Sequence, residues 1–349
     1  MKRFFILLVS ALTLALTSCS GTRNPDANVL NLYIWTYYIP DSVIEKFEDE
    51  FGVSVNIDNY STNEEMFNKL IAGGGKGYDI VLPSNDYASV MIRLNMLQEI
   101  DQSKFTNRQY INPAIIDKID YDPEMKYAVP YYYGAAGVCV NKKKVPEGSY
   151  ERTWNIFADP RFEGHATMMD DYREVFGDAL AYLGYSVNTT DEKALDEAAK
   201  LVNDKWKPNL VQFDAEAFGK SFASGDFWLC QGYAEIVYTE VPEEKWDETI
   251  DFFIPESGGP AYLDSFMILK DAPHAAIANE FINFIHRPEI YAECMDAYNF
   301  TCYINTAAPE YMTTVPMYPA SAMDTCELKN DIGEDLDKFF DRWEEVRFY

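Results

Sequence analysis

The sequence predicts an α/β protein of two lobes joined by a hinge. Three observations indicate this fold class. The 349 residues exceed the usual size of one domain, and strand and helix patterns alternate along the chain. Two long extended stretches, 126–145 and 247–270, also have α/β patterns on either side. We expect these stretches to be strands that cross between the lobes and form the hinge.

The first residues have the pattern of an export signal. Two basic residues precede an uncharged, largely apolar run (4–17) that is too short for a membrane-spanning helix. The run ends in "LTSC", which resembles a bacterial lipobox. We predict a signal peptide over 1–18, lipidation at Cys19 and a polar tether over 19–28. A signal that is cleaved with an incidental Cys19 is the alternative.

The first lobe begins with a βαβαβ pattern, which favours a parallel sheet covered by helices. Pro40 and Asp41 mark the start of its first helix, and Gly52 marks the end. The glycine-rich "AGGGKGYD" (72–79) lies between a helix and a strand, the reverse of the order in a phosphate-binding loop, and indicates a turn. The predicted strands are 29–35, 53–60 and 78–83, and the predicted helices are 40–52, 63–75 and 87–97.

A second α/β region lies between the extended stretches, and a helical pair follows them over 273–296. The first lobe is therefore expected to comprise 29–134 and 259–349, with carboxyl-terminal helices able to return to the second lobe, which comprises 135–258. In the second region the predicted helices are 152–158, 172–183, 191–204 and 215–223, and the predicted strands are 165–169, 210–213 and 226–231.

The composition narrows the classes of ligand. The formal net charge of −28 argues against a nucleic-acid partner, because phosphate binding needs basic patches. A negative field favours cationic ligands, although a solvated acidic surface accounts for most of these charges. The three histidines have no ligand-type spacing, so neither a metal site nor a cofactor is expected.

Apart from the predicted lipidation site Cys19, the sequence has five cysteines, and no C-x-x-C spacing occurs among them. Cys139 and Cys230 lie in apolar runs and are predicted to be buried thiols. A disulfide between Cys302 and Cys326 is left open, since an exported protein meets oxidising conditions.

Carboxylates are the main candidates for chemistry. In "MMDDYREVF", Asp171 with Glu174 three residues later has the pattern of a capping box. Asp170 is expected to point away from them, because it precedes them on a strand. A carboxylate-dependent glycosidase is an alternative, because the separation that such a pair needs is not readable from sequence. No G-x-S-x-G nucleophile motif is present.

Aromatic residues lie beside hydroxyls or acids in three places, two at predicted strand ends and one on the second crossing. In open parallel sheets, ligands bind at the carboxyl ends of strands. We interpret the three clusters as parts of one site. They comprise Trp35, Thr36, Tyr37 and Tyr38, then Ser84, Asp86 and Tyr87, and then Tyr262 and Asp264.

These residues carry a family resemblance. "LNLYIWTYYIP", "YDIVLPSNDY", "DDYREVF", "LGYSVNTTD", "YLDS" and "FINFIHRPEI" occur in the order and spacing typical of bacterial spermidine/putrescine-binding proteins, the extracytoplasmic receptors of polyamine ABC transporters. The resemblance implies a two-lobed periplasmic-binding-protein fold (type II-like) with its ligand cleft between the lobes. It also implies a polyamine ligand, a permease partner, a lipid-anchored monomer and no enzymatic activity.

The same resemblance implies a set of ligand-binding residues. Lys329 stands where the family has a Gln. Different residues from those typical of the family also stand at Asp86, Tyr233, Tyr262 and Phe300. These departures bear on which polyamine is preferred. A receptor for another small cation or for iron is the alternative within binding proteins. The implied ligand-binding residues are Trp35, Thr36, Tyr38, Ser84, Asp86, Asp171, Glu174, Tyr233, Tyr262, Asp264 and Phe300.

Overall fold

A computed structural model describes residues 28–348 of the chain. The predicted signal peptide, the lipidation site Cys19 and nearly all of the tether lie outside the described residues. Within the described range the chain forms two β-sheets, each covered by helices. None of the helices in this range has the length and apolarity needed to cross a membrane.

The regular elements follow one another in an alternating order along most of the chain. The strands are β1 (Val29–Trp35), β2 (Ser54–Tyr60), β3 (Ile80–Val81), β4 (Ala128–Ala135), β5 (Gly137–Asn141), β6 (Ala166–Met168), β7 (Leu210–Phe213), β8 (Leu229–Gly232), β9 (Ile250–Phe253), β10 (Pro260–Ile268) and β11 (Glu327–Leu328). The α-helices are α1 (Asp41–Phe51), α2 (Asn63–Gly73), α3 (Asn85–Arg93), α4 (Pro113–Ile116), α5 (Tyr172–Leu183), α6 (Glu192–Leu201), α7 (Phe218–Ser224), α8 (Ala234–Glu240), α9 (Trp246–Thr249), α10 (Ala275–Ile285), α11 (Pro288–Ala297) and α12 (Leu336–Phe348).

The first sheet has the strand order β11-β10-β3-β1-β2, and β4 pairs with β10. Strands β1, β2 and β3 are parallel to one another, whereas β10 runs antiparallel to β3 and β4. Leu30, Leu32 and Tyr33 are fully buried on both faces of β1, as expected for a strand covered by helices on both sides. The carboxyl ends of β1 and β3 therefore open on the same edge of this sheet.

The second sheet has the strand order β7-β6-β8-β5-β9. Strand β6 is parallel to β7 and β8, so helices α5 and α8 begin at the same edge of the sheet. Its core is rich in large aromatic side chains, among them Trp154, Phe176 and Trp206. Phe339 and Trp343 from α12 complete this core, so the carboxyl-terminal helix packs on the second lobe.

Both extended stretches pass from one sheet to the other. Strand β4 pairs in the first sheet and β5 in the second, with only Ala136 between them. Strand β9 lies in the second sheet and β10 in the first, joined by residues 254–259. Gly258 has φ +70° and lies so close to Thr325 that a Cβ would sit 2.1 Å from its carbonyl oxygen. These crossings confirm the predicted two-lobed, hinged α/β fold.

Several predicted elements differ from the structure. The strand predicted over 78–83 is reduced to Ile80–Val81, the helix predicted over 191–204 ends as α6 at Leu201 and continues as a π-helix, and the helix predicted over 215–223 begins at Phe218. Residues 152–158 were expected as an α-helix, but Trp154–Ala158 form a 3₁₀ helix. The following Asp159 is extended at ψ 118° before Pro160, because a proline disfavours helical backbone in the residue that precedes it. The helix predicted over 87–97 is α3, which begins and ends earlier.

The cysteines of the described residues are free. Cys139 and Cys230 are buried opposite one another on β5 and β8, which confirms their prediction as buried thiols. Cys302 and Cys326 do not form the disulfide left open above. Their thiols instead contact the carbonyl oxygens of Asn305 at 3.3 Å and of Ala322 at 3.8 Å.

Candidate functional site

Asp264 lies at the centre of the site. It is on β10 at an irregularity in the pairing with β4, and its side chain is buried. Its two oxygens accept hydrogen bonds from the hydroxyls of Tyr38 (2.5 Å) and Ser84 (2.6 Å). Because Tyr38 follows β1 and Ser84 follows β3, the structure brings together the three clusters that the sequence indicated.

The Asp264 carboxyl is poorly solvated. Burial raises its pKa to about 7, and the hydrogen bonds from Ser84 and Tyr38 oppose the rise. The negative charges of Asp86 and Glu235 raise it further. A carboxyl in this environment gains from a cation that stabilises its ionised form.

Aromatic rings surround the carboxyl on the side of the first lobe. Tyr38 lies edge-on to Tyr132 and Phe300, with ring centroids 5.9 and 5.8 Å apart. Phe300 lies 4.4 Å from Tyr132, which pairs with Asp264 across β4 and β10. Tyr132 was missed in the sequence, where its only signal was the "PYYYG" run.

Trp35 and Thr36 lie beside this wall but outside its hydrogen bonds. The Trp35 ring contacts Tyr60 at 4.5 Å, and its indole N–H is buried without a partner in residues 28–348. Thr36 is exposed. Of the first predicted cluster, Tyr38 is therefore the member that contacts the central carboxyl.

Tyr262 connects the two lobes. It lies two residues before Asp264 on β10, so both side chains share one face of the strand. Its ring centroid is 6.0 Å from Tyr132 and 5.4 Å from Tyr233, which precedes α8 in the second lobe. Tyr233 and Tyr262, both implied by the resemblance as ligand-binding residues, therefore meet edge to face across the cleft.

Glu174 is the buried acid of the second lobe. It stands in the first turn of α5, and its Oε1 accepts hydrogen bonds from the Tyr233 hydroxyl (3.1 Å) and from the Lys329 ammonium. Its Oε2 has no partner among the described residues. Burial raises the pKa of Glu174, and the Lys329 charge opposes the rise. Burial also lowers the pKa of Lys329, but the carboxylates of Glu174, Asp171 and Asp86 outweigh it and raise that pKa.

Asp171 caps the same helix. Its Oδ1 accepts hydrogen bonds from the backbone N–H groups of Arg173 (2.8 Å) and Glu174 (3.1 Å). The reciprocal half of the predicted capping box is wrong, because the Glu174 side chain turns to Lys329 and Tyr233 instead. Asp170 pairs with Arg347 rather than with Lys329 or Tyr233. The reason given for this from the sequence is wrong, because β6 ends at Met168 and Asp170 lies in a bend after the strand.

Asp86 lies in the first turn of α3 on the facing lobe. Its carboxylate accepts a hydrogen bond from the Tyr87 backbone N–H at 2.9 Å. Burial raises its pKa, whereas the charges of Lys329 and Arg173 lower it. Asp86 therefore belongs to the electrostatic surroundings of Lys329 more than to those of Asp264.

Glu235 was missed in the sequence. It stands in the first turn of α8, two residues after Tyr233. Burial raises its pKa to about 7, and interaction with the Tyr262 hydroxyl opposes the rise. The only sequence signal was an acid directly after a strand end in "CQGYAE". Its position beside Tyr262 adds a second poorly solvated carboxyl to the site.

The part of the chain from 28 to 348 contains no group of three or more His, Cys, Asp or Glu side chains that could hold a metal ion. The site instead offers isolated carboxyls separated by aromatic rings. Residues from both lobes line it, and this arrangement defines a hinged solute-binding protein.

Comparisons with known proteins agree with this class. The family model for bacterial extracellular solute-binding proteins matches residues 42–323. The spermidine/putrescine-binding periplasmic protein of Escherichia coli K12 is 33% identical over 339 residues, 95% of each chain. The putrescine-binding periplasmic protein SpuD of Pseudomonas aeruginosa is 32% identical over 313 residues, 86% of this chain and 84% of its own. The chain belongs to the spermidine/putrescine-binding family of bacterial extracellular solute-binding proteins.

Solved structures show the same fold. The TpPotD lipoprotein of Treponema pallidum is 48% identical, covers 92% of this chain and 100% of its own, and superposes with a TM-score of 0.87. The substrate-binding protein PotD of Streptococcus pneumoniae covers 92% and 99% at a TM-score of 0.82. Its identity of 23% makes this second likeness one of fold alone.

Proposed function

We propose that the protein is an extracytoplasmic receptor that binds a polyamine between its lobes and delivers it to the permease of an ABC transporter. The observation that carries the proposal is the Asp264 carboxyl. It is 1% exposed, bounded by aromatic rings, and has no Lys, Arg or His ion-pair partner in residues 28–348. The names of the relatives, which include spermidine and putrescine, support the same ligand class.

The chemistry of a polyamine fits these residues. An ammonium group can donate hydrogen bonds to a carboxylate, each contributing about 1.5–3 kcal/mol net. Aromatic faces contact the methylene chain and attract the ammonium by cation–π interaction, worth roughly 0.5–2 kcal/mol. Two carboxylates and two rings then supply about 4–10 kcal/mol before ordering costs, a range that includes the ~8 kcal/mol of a micromolar site. Binding requires no bond to be broken, so we propose no catalytic activity.

Ligand capture requires the lobes to separate and close. Tyr233 contacts Tyr262, and Lys329 pairs with Glu174, across the cleft. We propose that the segments at Ala136 and 254–259 flex when the cleft opens, as in hinged binding proteins. The permease then distinguishes the closed, loaded form.

We also propose that the protein acts as a monomer held at the membrane by a lipid on Cys19. The apolar run before "LTSC" supports this anchor. The relative from Treponema pallidum is itself described as a lipoprotein. Metabolic labelling with a radioactive fatty acid tests the anchor, because Cys19→Ala should abolish the label.

Calorimetric titration of the mature chain tests the function. We expect heat of binding with at least one of putrescine, cadaverine, spermidine and spermine. Asp264→Asn should weaken that binding at least tenfold, while Asp170→Asn, whose carboxylate pairs with Arg347 outside the site, should not. Binding of iron or a sugar but of no polyamine would overturn the proposal, and so would hydrolysis of a chromogenic glycoside.

A further inference from the structure

The ammonium of Lys329 lies where the resemblance expected the second lobe to hold an amine of the ligand. It bonds to Glu174 Oε1, the oxygen that also accepts from the Tyr233 hydroxyl at 3.1 Å. The side chains of Lys329 and Glu174 are only 18% and 1% exposed. This is a buried ion pair between the lobes rather than a surface contact.

The backbone holds Lys329 in this position. Its N–H donates to the Ala261 carbonyl oxygen at 2.9 Å, beside the strand that carries Asp264. Its own carbonyl oxygen accepts from the Asn85 side chain at 2.5 Å. The ammonium thus projects from the first sheet into the cleft, and moving it away would leave Glu174 buried without a counter-charge. Losing one partner of a buried ion pair is costly, so this ammonium is difficult to displace.

Two carboxyls of the site, Asp264 and Glu235, have no such partner and are not among the charges that act on Lys329. Neither Asp264 nor Glu235 forms an ion pair with a Lys, Arg or His side chain of residues 28–348. The chain therefore fills one ammonium position with its own side chain, whose charge also acts on Asp171 and Asp86. Asp264 and Glu235 are left for the ligand. A third ligand ammonium would have to approach the positive charge of Lys329.

We propose that Lys329 is a specificity-determining residue, whose ammonium replaces one ligand ammonium at Glu174 and makes the protein select a diamine over a triamine. This inference rests on the proposed function. Like-charge repulsion in a poorly solvated site excludes the third ammonium, a case of specificity obtained by rejecting the wrong ligand.

Calorimetric titrations with putrescine and spermidine test the inference. The wild-type chain should bind putrescine at least tenfold more tightly than spermidine. Lys329→Gln should move the ratio of the two affinities at least tenfold towards spermidine, because Glu174 then becomes available to the third ammonium. Glu174→Gln added to Lys329→Gln should reverse that gain. Lys338→Gln, which removes an ammonium paired with Asp335 outside the site, should leave the ratio unchanged.

The outcomes separate the two proposals. A wild-type chain that binds no polyamine overturns the proposed function. A chain that binds polyamines, with the same ratio in wild type and Lys329→Gln, overturns only the role of Lys329 and shows that its side chain moves aside. If Lys329→Gln does not fold, Lys329→Met provides a second uncharged variant. A wild-type chain that binds spermidine more tightly than putrescine refutes the inference without any variant.

Discussion

Polyamine binding is predicted to release protons from Asp264 and Glu235. Burial raises the pKa of each carboxyl to about 7, so both are about half protonated at pH 7 in the empty protein. An adjacent ammonium favours the ionised carboxylate and expels the proton. The two groups influence one another and are treated as a pair. We therefore expect release of about one proton per ligand at pH 7.

The affinity should depend on pH with a defined sign. Lowering the pH protonates the carboxyls, which must then lose their protons before they bind ammonium. For each carboxyl with a pKa of about 7, the affinity for the polyamine falls about tenfold when the pH is lowered from 8 to 6. Two such carboxyls cost about a hundredfold, or about 2.7 kcal/mol. The ligand contributes little, because its amines stay protonated over this range, like a Lys side chain with a pKa of about 10.4.

Calorimetry measures both quantities. At pH 7, the slope of the observed enthalpy against the ionisation enthalpy of the buffer should be negative, because released protons bind to the buffer, and its magnitude equals the number of protons released. Glu235→Gln should reduce this number to about one half and the pH effect to about tenfold, because one titrating carboxyl remains. The matched control is Glu240→Gln at the exposed end of α8, which should keep both values. A slope of zero with constant affinity from pH 6 to pH 8 would refute the reasoning, since both carboxyls would then be ionised before binding.

Three further predictions concern stability and are measured by thermal unfolding of the empty protein. Asp178 is fully buried, and burial holds its pKa well above the ordinary value, although interaction with the Gln231 side chain opposes the rise. The protonated acid is tolerated at acidic pH, and stability is lost as the pH rises through the folded pKa. Asp178→Asn should therefore stabilise the protein by about 1–3 kcal/mol at pH 8 and little at pH 4, and equal effects at both pH values would contradict this. Gly258→Ala should destabilise by about 2 kcal/mol or more, since its Cβ would clash with Thr325, whereas a neutral effect would show that the hinge segment adjusts. Asp171→Ala should cost about 1 kcal/mol through loss of the helix cap while Asp171→Asn retains it, and an equal loss in both variants would indicate that charge, not capping, stabilises α5.

The fold was predictable where local signals are strong. The bounds of α5 agree with the sequence pattern to the residue, because the N-cap residue Asp171 and Gly184 mark its ends. The bounds of β1 agree as well, because its largely apolar run ends where polar residues begin. Helix α12 lacked such a signal, since its apolar face is defined only by contact with the second lobe through Phe339 and Trp343. Packing, not local preference, decides such an element.

The site was predictable to the extent that chain order determines it. Tyr38, Ser84 and Asp264 were expected near one another because strand ends of one sheet meet at one edge, and they form a hydrogen-bonded cluster. Glu235 and the partner of Lys329 could not be derived in this way. Both depend on how the second lobe faces the first, and this orientation has no signature in a single segment.

The position of these residues couples ligand length to closure of the cleft. Asp264 belongs to the first lobe and Glu235 to the second, so a ligand with two ammoniums can bind both lobes at once. A monoamine can pair with only one of these two carboxyls. A ligand shifts the equilibrium between the open and closed cleft only by its different affinity for the two states, so we expect a monoamine to favour closure less. Lys329 joins the lobes through its ion pair with Glu174. If Asp264 and Glu235 hold the two ammoniums as proposed, we expect the cleft to close most favourably on the ligand whose ammonium spacing matches the distance between these two carboxyls.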